Sequence, residues 1–306
     1  MTTAIRRTAL TFAAAATVLA GCATGQEGQA GAAAMVAGNA IPLDTVQQRV
    51  EQLMSSPEVM AQLEQQGKKT ADAARQFVSQ AVVHELLTIA AQRENLRVDD
   101  AQINEVLDQE GGAEALSKDA LDDASGVRDL IRDQLLTARL AEKYLGRTVI
   151  TYNAVEFQTP RKAKDFARQV AENPARSAEL MSEVKDAAGP PALNQVATNE
   201  TLNSINWFAP DNSVLVVSGN QGEQAGGYQV VHVLGKRIVD RPAELNLRQL
   251  QPSQIQQLGR QFLRPLAVEL GVRTSPRYGV WDPSTMSVIP AAEAEAAGQV
   301  LVPPSA

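Results

Sequence analysis

Few side chains in this sequence carry reactive chemistry. Of its 306 residues one is a cysteine, Cys22, and two are histidines, His84 and His232. A single thiol can be acylated or act as a nucleophile, but it has no second cysteine for a disulfide or a redox pair. His84 sits in a helical stretch beside Val83, with no second ligand at metal-binding spacing. No HExxH, Walker or GxSxG string occurs, so the motifs of metalloproteases, phosphate-binding ATPases and serine hydrolases are missing. No cofactor or metal is expected.

Cys22 has the most telling surroundings. Arg6 and Arg7 are the only charges among the first 21 residues, and an apolar run follows from Thr8 to Ala20. That run is too short to span a bilayer and suits the apolar part of an export signal. "LAGC" looks like the lipobox of bacterial lipoproteins, in which the cysteine is lipidated, with palmitate-type acyl chains, and becomes the first mature residue. A secretory signal whose cleavage site happens to contain a cysteine is the other reading. Residues 1–21 are then a signal peptide, and residues 22–37, mostly Ala, Gly and Gln, are expected to be a flexible tether with little to bury.

Without residues 1–21 the chain keeps 26 Lys and Arg against 35 Asp and Glu, a formal charge of −9. An acidic chain without a basic run has little to offer a phosphate backbone, so nucleic acid is not an expected partner.

The elements follow from periodicity. Leu43, Val46, Val50, Leu53 and Met54 share a helical face, and Ala71–Gln92 carries a stripe through Phe77, Val78, Val82, Leu86 and Ile89. Asp99 or Asp100 caps a helix with Ile103, Val106 and Leu107 inward, and a last helix runs from Val127 to Tyr144. Residues 38–146 therefore read as an all-helical domain. From residue 147 the pattern alternates. "TVITYNAVEFQ" reads as a strand, "TPRKAKDFARQVAENP" as a helix opened by Thr159 and Pro160, and Tyr228–Leu234 as a strong strand. Residues 147–240 are a small α/β domain. Residues 241–283 hold a helix, kinked at Pro265, whose stripe of Ile255, Leu258, Phe262, Leu266 and Leu270 needs the helical domain as its partner. Residues 284–306, rich in Ala, Pro and Glu, are expected to be disordered. The fold class is α+β: a helical body built from N-terminal helices plus a C-terminal helix, with a small inserted α/β domain.

In this order the segments resemble the exported foldases and chaperones of SurA and PrsA type, and most nearly the lipoproteins of high-GC Gram-positive bacteria with a SurA N-terminal-like domain. The resemblance rests on "LAGC", "VAGNAIPLDTV", "AQRENLRVDDAQINEVL", "GGYQVVHVLGKR" and "GVRTSPRYGVWDP", which lie within residues 19–283. It implies a chaperone body that cradles unfolded or nascent exported polypeptides, and a parvulin-like domain, at the extracytoplasmic face of the membrane and anchored through Cys22. Catalytic parvulins place histidines in the opening and closing strands of the domain. Here Tyr152 or Asn153, and Gln229, stand at those positions, so the domain is expected to be degenerate. Tyr152, Asn153, Trp207, Phe208 and Gln229 are its candidate peptide pocket. The alternatives are an active peptidyl-prolyl isomerase using those residues, or a binding or assembly lipoprotein for a dedicated cell-envelope partner.

Overall fold

The computed structural model describes residues 31–120, 124–198, 207–218, 227–240 and 251–304. The signal segment, Cys22 and residues 23–30 lie outside them.

The chain is α+β and has two layered units. The first begins with a hairpin, β1 (Ala32–Val36) and β2 (Asn39–Pro42). Ala37 and Gly38 both take positive φ, which is the two-residue turn that fits the twist of a hairpin. Residues 32–36 are thus no tether. Alanines carry no strand signal of their own, but here they are buried between β2 and β7 (Val272–Thr274), which flank β1 on either side in an antiparallel sheet. Segments some 240 residues apart meet in that sheet.

Helices α1 (Leu43–Ser55), α2 (Pro57–Gln65), α3 (Thr70–Glu94), α4 (Asp100–Gln109), α5 (Ala113–Ala120) and α6 (Ala124–Tyr144) follow. α3 is the axis of this body. Phe77, Val78, Val82, Val83, Leu86, Leu87 and Ala90 are all buried, so its apolar surface is wider than a single stripe. Asp99 caps α4 by accepting a hydrogen bond from the Gln102 N–H at 2.9 Å. Met54, read as part of the α1 stripe, is 57% exposed.

Two helices complete the body, α9 (Pro252–Gln261) and α10 (Arg264–Leu270), and α9 lies along α6. A Cβ on Gly259 would fall 2.5 Å from the Thr137 carbonyl oxygen, so glycine is what lets the two helices approach. The expected kink at Pro265 is instead a break. Pro265 has no N–H to bond the Gln261 carbonyl, and α9 stops there while a new helix starts with Pro265 in its first turn.

The second unit is a five-stranded antiparallel sheet in the order β10-β5-β6-β3-β4. Its strands are β3 (Thr148–Phe157), β4 (Ala192–Ala197), β5 (Val214–Ser218), β6 (Tyr228–Ile238) and β10 (Gln299–Leu301). Helices α7 (Pro160–Glu172) and α8 (Ser177–Glu183) cover one face, burying Ala163, Phe166, Ala167, Val170 and Met181 on Val155, Phe157, Val214, Val216 and Val230. On the other face Trp207, Leu215, Val231 and Val233 form a separate core.

The C-terminal residues 284–304 are ordered, contrary to their composition. β8 (Val280–Asp282) and β9 (Ser287–Ile289) form a hairpin whose Met286 and Val288 are buried in the α3 core. β10 then crosses to pair with β5. Short apolar pieces among Ala, Pro and Glu suffice because each lands on a preformed surface.

Candidate functional site

The register of β3 against β6 sorts the sequence candidates. Tyr152 lies opposite Val233, Asn153 opposite His232 and Glu156 opposite Gln229. Neighbouring residues on a strand point to opposite faces, so Tyr152 and Asn153 cannot share a pocket. Tyr152 stacks at a tilt on Trp207 with ring centroids 4.3 Å apart, over the sheet face away from α7 and α8. Gln229 is on that same face, two residues before Val231.

Asn153 is buried on the helix-covered face. Its amide donates to Ser177 Oγ at 2.9 Å, and its Oδ1 accepts the Asn194 N–H at 2.7 Å, tying α8 to β4. Its cross-strand partner His232 is buried too, and burial pushes its pKa below the usual histidine value. The neutral ring places Nε2 3.0 Å from Asn212 Oδ1, while Nδ1 has no hydrogen-bond partner among the described residues. Both side chains hold the sheet unit together from inside.

Phe208 leaves the sheet unit altogether. Trp207 turns toward the sheet, and Phe208 turns the other way into a cluster with Tyr144 of α6 and Phe262. Ring centroids are 5.4 Å apart for Tyr144 and Phe208, 5.3 Å for Tyr144 and Phe262, and 4.9 Å for the edge-on pair Phe208 and Phe262. Of the five candidates, the fold therefore brings Tyr152, Trp207 and Gln229 to one face. It sends Asn153 to the opposite face and Phe208 to the seam between the units.

That seam holds a groove of about 300 Å³. Its apolar lining includes Leu140, Tyr144, Phe208, Phe262, Leu263 and Leu266. Charged groups frame it. Arg93 grips both carboxylate oxygens of Glu269 at 2.8 and 2.9 Å, and Lys143 pairs with Glu94. Burial, then a hydrogen bond to Glu94, pushes the Tyr144 phenol well above its usual range, so it stays protonated. On the sheet side Ile238 is 46% exposed. Beside it the Lys236 ammonium donates to the Ala209 carbonyl at 2.9 Å and sits 4.4 Å from the centre of the Phe208 ring.

Arg264 fixes the geometry of this seam. It is 1% exposed, and its guanidinium donates to the carbonyls of Pro283 (2.8 Å), Ser284 (2.9 Å) and Phe208 (3.2 Å) and to Gln261 Oε1. One cation thereby joins α10, the C-terminal hairpin and the segment that carries Phe208. Sequence reading missed Arg264, Tyr144 and Lys236 as site residues. A charged residue inside the apolar stripe of Phe262 and Leu266 was the one available signal.

A second groove of about 400 Å³ runs between α3 and the β8–β9 turn, lined by Asp72, Arg75, Gln76, Ser79 and Arg260 among others. Its lining is dominated by hydrogen-bonding groups. Among the described residues no group of three or more His, Cys, Asp or Glu side chains could hold a metal ion.

Residues 1–138 match the family profile described as the SurA-like N-terminal domain. This part of the chain is similar to a SurA-like N-terminal domain. The match ends inside α6, so the SurA-like domain supplies the α3 wall of the seam groove, with Ala90, Arg93 and Glu94. The rest of the lining comes from beyond it. Comparison with curated proteins gives no match. Among solved structures the chain is similar to the foldase protein PrsA from Lactococcus lactis, at 12% identity over 80% of this chain and 95% of that one, with a TM-score of 0.25. It is also similar to the peptidylprolyl isomerase PrsA from Bacillus anthracis, at 11% identity over 65% of this chain and 99% of that one, with a TM-score of 0.21. Likeness at that level assigns no role to any residue.

Proposed function

We propose that the protein is an extracytoplasmic chaperone, tethered to the membrane by lipid on Cys22, that holds unfolded or partly folded exported polypeptides without catalysing a reaction on them. The observation that carries this reading is the groove between the SurA-like domain and the sheet unit. Its floor is apolar, with Tyr144, Pro265 and Leu266 half-buried over the buried rings of Phe208 and Phe262 and with Ile238 exposed at its edge, while paired charges on the rim keep the surrounding surface wet. An extended chain can place an apolar side chain on such a floor and leave its own backbone hydrated. The SurA-like domain supports the same reading. The anchor is supported by "LAGC", and no helix among the described residues is long and apolar enough to cross a membrane.

Catalysis of prolyl isomerisation is not part of this proposal, because Asn153 and Gln229 are not histidines and the register turns them to opposite faces. The uncatalysed barrier is close to 20 kcal/mol, so even a modest isomerase is easy to detect. The test combines two assays on the chain from residue 23 onward. It should slow aggregation of an unfolded client, lose that effect in the Leu266→Glu variant, and leave isomerisation of a short X-Pro peptide at its spontaneous rate. Isomerisation well above that rate would favour the enzyme. Absence of both effects would favour a dedicated envelope partner.

A further inference from the structure

The groove is not electrically even. Two of its rim cations are answered: Arg93 by Glu269 and Lys143 by Glu94. Lys236 is not. Among the described residues it forms no ion pair; Asp211 attracts it only from a distance, and the ammonium touches the Ala209 carbonyl and the Phe208 ring. An ammonium has three N–H groups, and these contacts leave at least one unused. Burial also pushes the Lys236 pKa below its usual value, a cost that a carboxylate in the groove would relieve. The amine lies against the aromatic end of the floor, beside exposed Ile238.

We infer that the groove selects polypeptide segments in which an apolar residue is followed closely by an Asp or Glu side chain: the apolar group sits on Phe208, Phe262 and Leu266 and the carboxylate meets Lys236. This rests on the chaperone reading above, and adds to it a charge preference set by one residue. Segments carrying a basic residue at that position are disfavoured, because the neighbouring carboxylates Glu94 and Glu269 are already paired.

The test uses the full chain reconstituted in lipid nanodiscs, with empty nanodiscs as the control, and three labelled Gly/Ser-rich peptides. Each has a central Phe-Leu pair followed by Glu, Gln or Lys, and all are amidated at the C-terminus. By fluorescence anisotropy the Glu peptide should bind about three- to tenfold tighter than the Gln peptide, the range of a partly buried charge-assisted contact. The Lys peptide should bind weakest. Lys236→Met, which keeps the apolar stem over Phe208, should erase the Glu preference by bringing the Glu- and Gln-peptide affinities together, and Lys236→Arg should retain it. Equal binding of the Glu and Gln peptides, or a preference that survives in Lys236→Met, overturns the inference. If the Gln peptide still binds and Leu266→Glu abolishes that binding, the chaperone reading stands without it. If no peptide binds, both fail. A Gln peptide with a free C-terminal carboxylate completes the set: should it alone bind tightly, the groove reads chain ends and the inference is wrong.

Discussion

Replacing Arg264 by Met should loosen the joint between the two units. Among the described residues, the Phe208 carbonyl and Gln261 Oε1 accept from its guanidinium in fully buried contacts, and the Pro283 and Ser284 carbonyls in partly buried ones. A buried acceptor left without a donor costs about 1–3 kcal/mol, while a partly buried one recovers water and loses about 0.5–1.5 kcal/mol. Against this stands the cost of burying the cation. Burial holds the Arg264 pKa down to about 10, below the usual arginine value, which penalises the charged form by about 3 kcal/mol. Met escapes that penalty and fills part of the space. The balance is a loss of about 3 kcal/mol, a large fraction of a typical domain's stability. Urea denaturation followed by circular dichroism would measure it, and in a Trp281→Phe background, which removes the tryptophan packed on the helical body, emission reports the sheet unit separately through buried Trp207. The emission transition should move to lower urea than the helical signal, because the Phe208 segment loses its tie to α10. A loss below about 1 kcal/mol with coincident transitions would show that Arg264 is not the joint described here.

Other outcomes follow from the same structure. Cys22→Ser should move the protein from the membrane pellet to the soluble fraction of fractionated cells, since stable attachment through acyl chains needs that residue; an unchanged pellet would rule out the anchor. Gly259→Val should destabilise the helical body by more than about 2 kcal/mol in thermal melts, because its Cβ would fall 2.5 Å from the Thr137 carbonyl oxygen. His84 Nδ1 lies 2.9 Å from Asp133 Oδ2, and this hydrogen bond, with the nearby Asp129 and Glu85, raises the histidine pKa above 6.5 despite its burial. The resulting stability is fully present below pH 6.5 and fades as pH climbs through the folded value; His84 is 41% exposed, so it amounts to less than about 1 kcal/mol. NMR titration should show the His84 pKa falling in Asp133→Asn, and an unchanged value would contradict the pairing.

Most helices were legible because their burial repeats with the helical period. Phe77, Val78, Val82 and Leu86 mark α3, and a capping aspartate marks α4. The strand Ala32–Val36 was not, since alanine has no preference for it and one of its two hydrogen-bonding partners lies some 240 residues along. The tail failed for a related reason: its apolar pieces, Met286, Val288–Ile289 and Val300–Val302, are short, and only surfaces made by other segments bury Met286 and Val288. α5 and β4 are short and carry too few apolar residues to announce themselves. For the site, chain order pointed to the sheet unit and named Tyr152 and Trp207, whose rings lie 4.3 Å apart in the fold. Strand register, which separates Asn153 from Tyr152 and Gln229, follows from pairing and was not visible in a single strand. The groove joins Ala90, Tyr144, Phe208, Lys236 and Leu266 from five distant segments, so no local spacing could encode it.

The most direct test of the account is where an unfolded client touches the protein. A photo-crosslinking residue placed at Leu266, in the groove, should capture an unfolded polypeptide efficiently, and one at Gln229, on the open sheet face, should capture little. Dominant crosslinking at Gln229, with none at Leu266, would place the working surface on the sheet and contradict the groove.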